Sequence, residues 1–256
     1  FIDTEGGTHH LDVVRLDGAT TWDGVLGVVR QLATVDHEFQ TLVIDTVDWL
    51  EKRLIDHLCK KHGQDSIEGF GYGKGYVILA EEFAKFLDSL VGLLRRGMHV
   101  VLLAHSTVRK FEAPDQAGSY DRYELKLSKQ VAPLVKEWAD VVLFANYVTK
   151  VAEKDSGRKR GVGGKERILF ATHTAACDAK NRHGLPDKLG FSVEALSPVF
   201  GAHRSGAAPT VTKKAPVPAE KPAEPEQTKP ILIDRIFDTF NGDMANVVDF
   251  LVERGQ

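Results

Sequence analysis

Residues 41–46 have the sequence TLVIDT, a short apolar and β-branched run that ends in Asp45 and Thr46. Such a run predicts a strand that is buried on both faces of a parallel sheet. An aspartate at the carboxyl end of that strand faces the crevice where open α/β sheets bind ligands. It can bind magnesium there, and it can equally cap the helix that follows. The residues alone leave both interpretations open.

Two further segments end in the same way. Residues 1–5, FIDTE, place Glu5 just past a strand, where a carboxylate can orient and deprotonate a water molecule. Residues 99–106, HVVLLAHS, place His105 just past another strand, where it can contact a terminal phosphate. A solvated loop acid and a histidine in a turn are the alternatives. Three polar strand ends are expected to gather at one edge of the sheet, which favours the functional interpretation.

The remaining pattern predicts an α/β fold. Apolar residues at helical spacing predict helices at about 21–34, 48–62, 77–96 and 128–137. Short apolar runs predict further strands at 11–16, 99–104, 140–147 and 167–172. Strands that alternate with amphipathic helices imply a mostly parallel sheet flanked by helices. We expect the last two strands to form an antiparallel hairpin at the sheet edge, and the polar stretches 107–124 and 149–166 to be loops.

The composition changes after the core. Residues 204–230 contain six of the ten prolines among Ala, Lys, Glu and Thr, which predicts a disordered or semi-extended linker. Apolar periodicity returns in residues 231–256, which we expect to form a small helical tail. The predicted organisation is therefore a core at 1–203, a linker and a tail that docks on another surface, because so few residues cannot form a core alone.

The overall composition excludes several classes of protein. The formal net charge of -3 means that nucleic-acid binding has to come from local basic patches. Two distant cysteines, Cys59 and Cys177, form neither a disulfide framework nor a zinc motif, and the histidine spacing fits no common zinc pattern. The sequence shows neither a membrane-spanning apolar run nor a signal peptide. We expect a cytoplasmic protein without a membrane partner.

The order FIDTEGG, LVIDT and VVLLAHS resembles the core of RecA-like P-loop ATPases. The motifs GYGKGY at 71–76 and AKNRHGLP at 179–186 look like those of the phage single-strand-annealing ATPases related to RecA, which are proteins of DNA recombination. The resemblance covers roughly residues 1–200. It implies a RecA-like fold and a protein that uses ATP and Mg²⁺.

The resemblance also implies roles for individual residues. Glu5 corresponds to the catalytic base, Asp45 to the magnesium-associated Walker B acid with Thr46 beside the nucleotide, and His105 to the sensor. The metal contact of Asp45 is direct or through water. Lys180 and Arg182 correspond to basic residues that reach the phosphates of a neighbouring subunit, where positive charge stabilises phosphoryl transfer. A basic surface loop is the alternative for these two residues, and a neighbour-dependent site implies a homo-oligomer.

The phosphate-binding motif GxxxxGK[ST] does not occur in the 256 residues. Gly73-Lys74 is followed by Gly75, and Gly164-Lys165 is followed by Glu166, so neither pair fits. In the family, that loop precedes the strand that ends in FIDTE. We therefore expect a sequence truncated before this loop, and a polypeptide that binds ATP poorly or not at all. Loss of nucleotide binding is the other explanation.

Two basic segments are candidates for binding single-stranded DNA. Residues 150–167 contain seven basic and three acidic side chains on a Gly-containing stretch, including Arg158, Lys159 and Arg160. The segment after His105 combines cations with aromatic rings on which bases stack, namely Arg109, Lys110, Tyr120 and Arg122. Solvated loops are the alternative for both segments.

The sequence thus predicts ATP hydrolysis coupled to single-stranded DNA binding, annealing or strand exchange. The first alternative is an ATP-independent annealing module that retains the fold as a scaffold. The second is a helicase or packaging motor on the same core.

Overall fold

The computed structural model describes residues 1–112, 118–153, 159–201 and 249–254, with the backbone alone for 150–153, 159–162 and 249–254. Within these ranges the chain forms one mixed sheet in the order β1-β2-β3-β9-β5-β6-β8, with β4 paired to β3 and β7 paired to β5. The strands are β1 Ile2–Asp3, β2 Thr41–Asp45, β3 His99–Glu112, β4 Ser119–Leu125, β5 Val141–Glu153, β6 Lys159–Phe170, β7 Lys180–Asn181, β8 Lys188–Gly190 and β9 Asp249–Arg254.

The first three strands of the sheet are parallel. Asp3 pairs with Asp45, and Asp45 pairs with Leu103, so β1, β2 and β3 end side by side. β9 is antiparallel to both β3 and β5, which therefore run in the same direction. β6 and β8 continue the sheet in antiparallel pairs. The predicted α/β fold class is confirmed, with a mixed sheet and with the expected hairpin of β5 and β6.

Helices cover both faces of this sheet. The helices are α1 Trp22–Thr34, α2 Val47–His62, α3 Lys74–Leu94, α4 Val131–Trp138 and α5 Ser197–Gly201, with 3₁₀ turns at Thr8–His10, Ile67–Phe70 and Glu194–Leu196. Alternate strand residues, Ile44 and Leu102 among them, pack against α1 to α4. Their neighbours Val43 and Leu103 face the opposite side, where Phe200 of α5 packs. This alternation explains why the strand sequences are apolar throughout.

The helix boundaries follow local sequence signals. Thr21 caps α1 by accepting a hydrogen bond from the backbone nitrogen of Gly24 at 3.1 Å. α2 ends at His62, and the next residue, Gly63, has a φ of 62° in the left-handed region that glycine tolerates. α3 buries Leu79, Phe83, Phe86, Leu87, Leu90, Leu93 and Leu94 along one side. It starts at Lys74, three residues before the predicted start at 77, and ends at Leu94.

The largest difference from the sequence prediction follows His105. The polar loop predicted at 107–124 is a hairpin, in which the extended end of β3 pairs with β4 from Ser106–Leu125 to Glu112–Ser119. Along β3 from Thr107 to Glu112, half-buried residues alternate with exposed ones, and β4 buries Arg122 and Leu125. Val108 is 53% exposed, whereas Arg122 on the partner strand is 5% exposed. A two-stranded ribbon of mixed polarity has the composition of a loop, which explains the error.

Three other predictions are corrected. Residues 11–16 form no strand, although backbone hydrogen bonds join Val14 and Leu16 to Phe1. Most of the described part of the stretch 149–166 belongs to β5 and β6 rather than to a loop. Residues 249–254, expected to be helical, form β9 because they hydrogen-bond between two open strand edges. The predicted linker 204–230 and the rest of the tail lie outside the described residues.

Candidate functional site

The candidate site lies where the parallel strands β1, β2 and β3 stop pairing. Because Asp3, Asp45 and Leu103 are aligned in register, the residues that follow them emerge at the same edge of the sheet. Glu5, Thr46 and His105 are among these residues. The structure therefore places the three predicted strand-end residues Glu5, Asp45 and His105 along one edge.

Glu5 and His105 face each other across this edge. The Oε2 atom of Glu5 lies 3.8 Å from Nε2 of His105 and accepts a hydrogen bond of 3.4 Å from the hydroxyl of Thr46. The Glu5 side chain is 32% exposed and that of His105 is 20% exposed. A carboxylate that touches both partners and still reaches solvent can accept a proton from a nearby water molecule.

Asp48, in the first turn of α2, is the buried partner of His105. Its carboxylate accepts hydrogen bonds from Nδ1 of His105 at 3.0 Å and from the backbone nitrogen of His105 at 3.1 Å. Burial raises the pKa of Asp48, but hydrogen bonds from His105 and Thr46 outweigh burial and leave that pKa below its ordinary value. Asp48 is absent from the residues selected by sequence, because an acid in the first helical turn is also a common helix-start signal.

A second acid, Asp3, holds the loop that carries Glu5. Its Oδ1 atom accepts hydrogen bonds from the backbone nitrogens of Glu5, Gly6 and Gly7, at 2.6 to 3.3 Å. Its Oδ2 atom accepts from the backbone nitrogen and the hydroxyl of Thr8. Burial raises the pKa of Asp3, yet these hydrogen bonds lower it below its ordinary value. The loop is therefore fixed by an ionised carboxylate at its base.

Thr4 joins the ends of β1 and β2. Its hydroxyl donates to the carbonyl oxygens of Thr46 at 2.7 Å and Asp45 at 3.1 Å, while its backbone nitrogen donates to Asp45 at 2.7 Å. The carbonyl of Thr4 accepts a hydrogen bond from Arg53 of α2. Thr4 is 1% exposed, so these bonds are shielded from water. They fix the spacing between Glu5 and the end of β2.

Glu51, one turn after Asp48 on α2, supports the segment that follows the β3–β4 hairpin. Its two carboxylate oxygens accept hydrogen bonds from the backbone nitrogen of Ser128 at 3.0 and 3.1 Å. Burial raises the pKa of Glu51 above its ordinary value, although the hydrogen bonds from Ser128 oppose that rise. Arg109 of β3 donates to the adjacent carbonyl of Leu127 at 2.6 Å.

The donor set at this edge suits a hard cation. Asp45 ends β2 and is half-buried, and the Thr46 hydroxyl and the Glu5 carboxylate add further oxygen atoms. Magnesium prefers oxygen ligands and is usually bound by one or two carboxylates together with substrate phosphates. Across the described ranges, no group of three or more His, Cys, Asp and Glu residues is arranged to bind a metal ion. A magnesium ion at this edge would therefore need further ligands, such as phosphate oxygens, besides these residues.

Lys180 and Arg182 lie away from this edge. Lys180 pairs with Val142 near the amino end of β5, and its ammonium donates to the carbonyls of Lys136 and Glu137 at 3.0 and 2.9 Å. Arg182 forms an ion pair of 2.7 Å with Asp140, just before β5. Through β9, Val142 is level with Leu102 near the end of β2, so these two cations are separated from Glu5 across the sheet, by β9 and β5. They do not join the candidate site within one chain.

The predicted DNA-binding residues of the β3–β4 hairpin have different surroundings. Arg122 is buried, forms an ion pair of 3.0 Å with Asp178, and lies over the ring of Phe111. Arg122 is therefore shielded from solvent, whereas a residue in the predicted loop would be exposed. Lys110 is exposed, and the ring centroids of Tyr120 and Phe111 are 5.4 Å apart.

The second predicted DNA-binding segment is only partly described. Arg158 lies outside the described residues, and for Lys159 and Arg160 the structure gives the backbone of β6 alone. In the AKNRHGLP motif, the Asn181 side chain accepts hydrogen bonds from the backbone nitrogens of His183 and Leu185, both at 3.1 Å. This part of the motif forms a turn that its own asparagine stabilises.

Comparison with known proteins gives one match. A family profile described as AAA domain matches residues 1–183, which include the three strand ends and the β3–β4 hairpin. No curated protein and no solved structure matches the chain significantly. In the described ranges, the helices are all too short or too polar to cross a membrane.

Proposed function

This chain belongs to the AAA domain family of P-loop ATPases, and from that premise we propose that its three strand ends form the phosphate-facing part of an ATP-hydrolysing site. The observation that carries the proposal is the position of the Glu5 carboxylate, which lies 3.8 Å from His105 and 3.4 Å from the Thr46 hydroxyl. It brings a partly exposed carboxylate, an imidazole and a hydroxyl together at one sheet edge.

Each residue has a chemical task in this proposal. Glu5 accepts the proton of the attacking water, because it is partly exposed and fixed by the loop that Asp3 holds. His105 contacts the terminal phosphate. Asp45 and Thr46 provide the oxygen atoms for magnesium, directly or through water. When bound, the cation neutralises charge on the phosphate oxygens.

The cations Lys180 and Arg182 require a neighbouring copy. Both are separated from Glu5 by β9 and β5, and the Arg182 side chain is 58% exposed despite its pairing with Asp140. The exposed guanidinium of Arg182 can reach phosphates on another subunit, although Asp140, whose side chain is 14% exposed, then loses this ion pair. We propose a homo-oligomer in which one copy contributes these cations to the site of the next.

The finer activity that we propose is phage-type DNA recombination, in which ATP hydrolysis is coupled to annealing or strand exchange. The β3–β4 hairpin continues directly from His105, and it carries the exposed Lys110 on one face and the paired Tyr120 and Phe111 rings on the other. β3 runs from the proposed phosphate contact into the hairpin, and this continuity supports coupling between the nucleotide state and the binding of single-stranded DNA. The basic segment 150–167 is the second proposed contact.

A second candidate function is an annealing module that acts without ATP. The 256 residues contain no GxxxxGK[ST] motif, whose backbone nitrogens bind the phosphates in ATPases of this kind. An annealing module that binds DNA without ATP is compatible with that sequence. A helicase or packaging motor would use the same site, and a strand-unwinding assay separates it from the annealing protein.

The experiment measures ATP hydrolysis and DNA annealing by the full-length protein with a phosphate-binding loop present. We expect Glu5→Gln to lower kcat about 100- to 10,000-fold with ATP binding retained, because the amide cannot accept the proton. Glu38→Gln, which alters an exposed acid before β2, is the matched control and should hydrolyse ATP normally. Normal hydrolysis by Glu5→Gln would refute the site. Annealing without any binding of Mg–ATP would favour the second candidate.

A further inference from the structure

His105 has two opposite acidic neighbours that differ in burial. The Asp48 carboxylate lies at Nδ1, with 2% of its side chain exposed, whereas Glu5 lies at Nε2 with 32% exposed. The Asp48 carboxylate contacts both the ring and the backbone nitrogen of His105. Glu5 contacts the ring alone, at a distance longer than a hydrogen bond. The strong contacts of His105 are therefore those on the inner, buried side.

Hydrogen-bond chemistry then determines the state of the ring. An ionised carboxylate only accepts hydrogen bonds, so the Nδ1 atom of His105 has to carry a proton and donate it to Asp48. The backbone N–H of His105 donates to the same carboxylate, and these two bonds fix the direction of the ring. When the imidazole is protonated at Nδ1 and held in this orientation, Nε2 is the ring nitrogen that faces Glu5 and the solvent at the sheet edge.

We propose that Asp48 is a positioning residue, which holds the His105 imidazole with Nδ1 protonated and Nε2 directed to the edge where Glu5 lies. The role of His105 as a phosphate contact rests on the ATP hydrolysis proposed above. The positioning itself depends only on Asp48 and His105. With the ring fixed in advance, Nε2 meets a phosphate oxygen without rotation of the side chain, which lowers the cost of reaching the reactive geometry.

Asp48 also lies in the first turn of α2, where any acid interacts favourably with the helix dipole. That interaction alone would affect the stability of the fold and leave the His105 ring unchanged. The two roles therefore differ in their readout. A spectroscopic signal of the His105 ring, together with the separation of kcat from KM, distinguishes positioning from a purely structural contribution.

The first measurement is proton NMR of the full-length protein labelled with ¹⁵N-histidine, with the His105 signal assigned from His105→Gln. In the native protein we expect a downfield Nδ1–H resonance that exchanges slowly with water, because a charge-assisted bond to a buried acceptor protects it. In Asp48→Asn, a substitution of nearly identical shape, the resonance should move upfield and exchange faster. Asp56→Asn, on the exposed side of the same helix, should leave it unchanged.

The second measurement is steady-state ATP hydrolysis by the same variants. We expect Asp48→Asn to lower kcat about 10- to 100-fold, as is usual when the partner that orients a functional histidine is altered. KM should change less than about threefold, because ground-state binding is largely retained. Asp48→Glu, whose carboxylate is displaced by one methylene group, serves if Asp48→Asn fails to fold, and it should show the same two changes.

The outcomes separate this inference from the proposed function. An unchanged Nδ1 resonance in Asp48→Asn would overturn the positioning role, whatever the rate of hydrolysis. A changed resonance with a normal kcat would likewise overturn the role in the reaction. A native protein that hydrolyses no ATP would refute the proposed function, and the NMR comparison would then decide the positioning by itself.

Discussion

Glu51 offers the sharpest test of how the region behind the candidate site is held together. The side chain is 6% exposed, and both of its oxygens accept from the single backbone N–H of Ser128. Glu51→Gln removes the charge but keeps one accepting oxygen. Glu51→Met has a similar unbranched shape and accepts nothing. The free energies of unfolding of these two variants should therefore differ by the cost of leaving the Ser128 N–H, and the Ser128 side chain that also hydrogen-bonds to Glu51, without this acceptor.

That cost is about 1–3 kcal/mol for a buried donor without a partner. We expect Glu51→Met to be less stable than Glu51→Gln by this amount in urea unfolding followed by circular dichroism. Removing the buried charge should leave Glu51→Gln at least as stable as the native protein at pH 7.5. If Glu51→Gln lost as much stability as Glu51→Met, the charge itself would be stabilising, and the argument would fail.

The pH dependence gives an independent check of the same carboxyl. Burial raises the pKa of Glu51 in the folded protein, so the folded state retains a proton that the unfolded state releases at lower pH. The native protein therefore loses stability as the pH rises from the ordinary value of 4.5 through the raised pKa. Glu51→Gln lacks this loss, so its advantage at pH 7.5 should shrink as the pH approaches 4.5. An advantage that stayed constant would contradict the raised pKa.

Two further predictions concern stability and use urea unfolding at pH 7.5. In α1, a Cβ atom at Gly24 would lie 2.0 Å from the carbonyl oxygen of Gly18, whereas Gly27 has open space; Gly24→Ala should destabilise the protein, and Gly27→Ala should stabilise it by up to about 1 kcal/mol. Asp178→Asn should cost about 3–5 kcal/mol, because it leaves the 5% exposed Arg122 without its carboxylate. A loss for Gly27→Ala as large as for Gly24→Ala, or a silent Asp178→Asn, would contradict these contacts.

The sequence predicts the strands that are buried on both faces and the helices between them. TLVID and HVVLLA have few polar residues, so their burial follows directly from their composition, and the register of parallel strands then aligns Glu5, Asp45 and His105. The hairpin after His105 could not be predicted in this way. One of its faces meets solvent and the other buries Arg122, so polarity did not indicate burial.

The sequence did not predict the roles of Asp48 and Glu51 in α2, for a related reason. Glu51 falls between Val47 and Leu54 on the buried side of the helix, and Asp48 is beside it. The available signal was a carboxylate on an apolar helix face, because an acid buried there requires a partner that donates hydrogen bonds or carries positive charge. Its partner could not be identified from sequence, since Ser128 is 77 residues away from Glu51 and His105 is 57 residues away from Asp48.

The spacing of these two acids has a structural consequence. Residues three apart on a helix are neighbours on its surface, so Asp48 and Glu51 are held by the same turn of α2. Asp48 binds His105 where β3 leaves the sheet, and Glu51 binds Ser128 where the chain returns from β4. One helical turn therefore supports both ends of the β3–β4 hairpin. A change that moves His105 relative to α2 therefore also acts on the helical turn that holds the base of the hairpin.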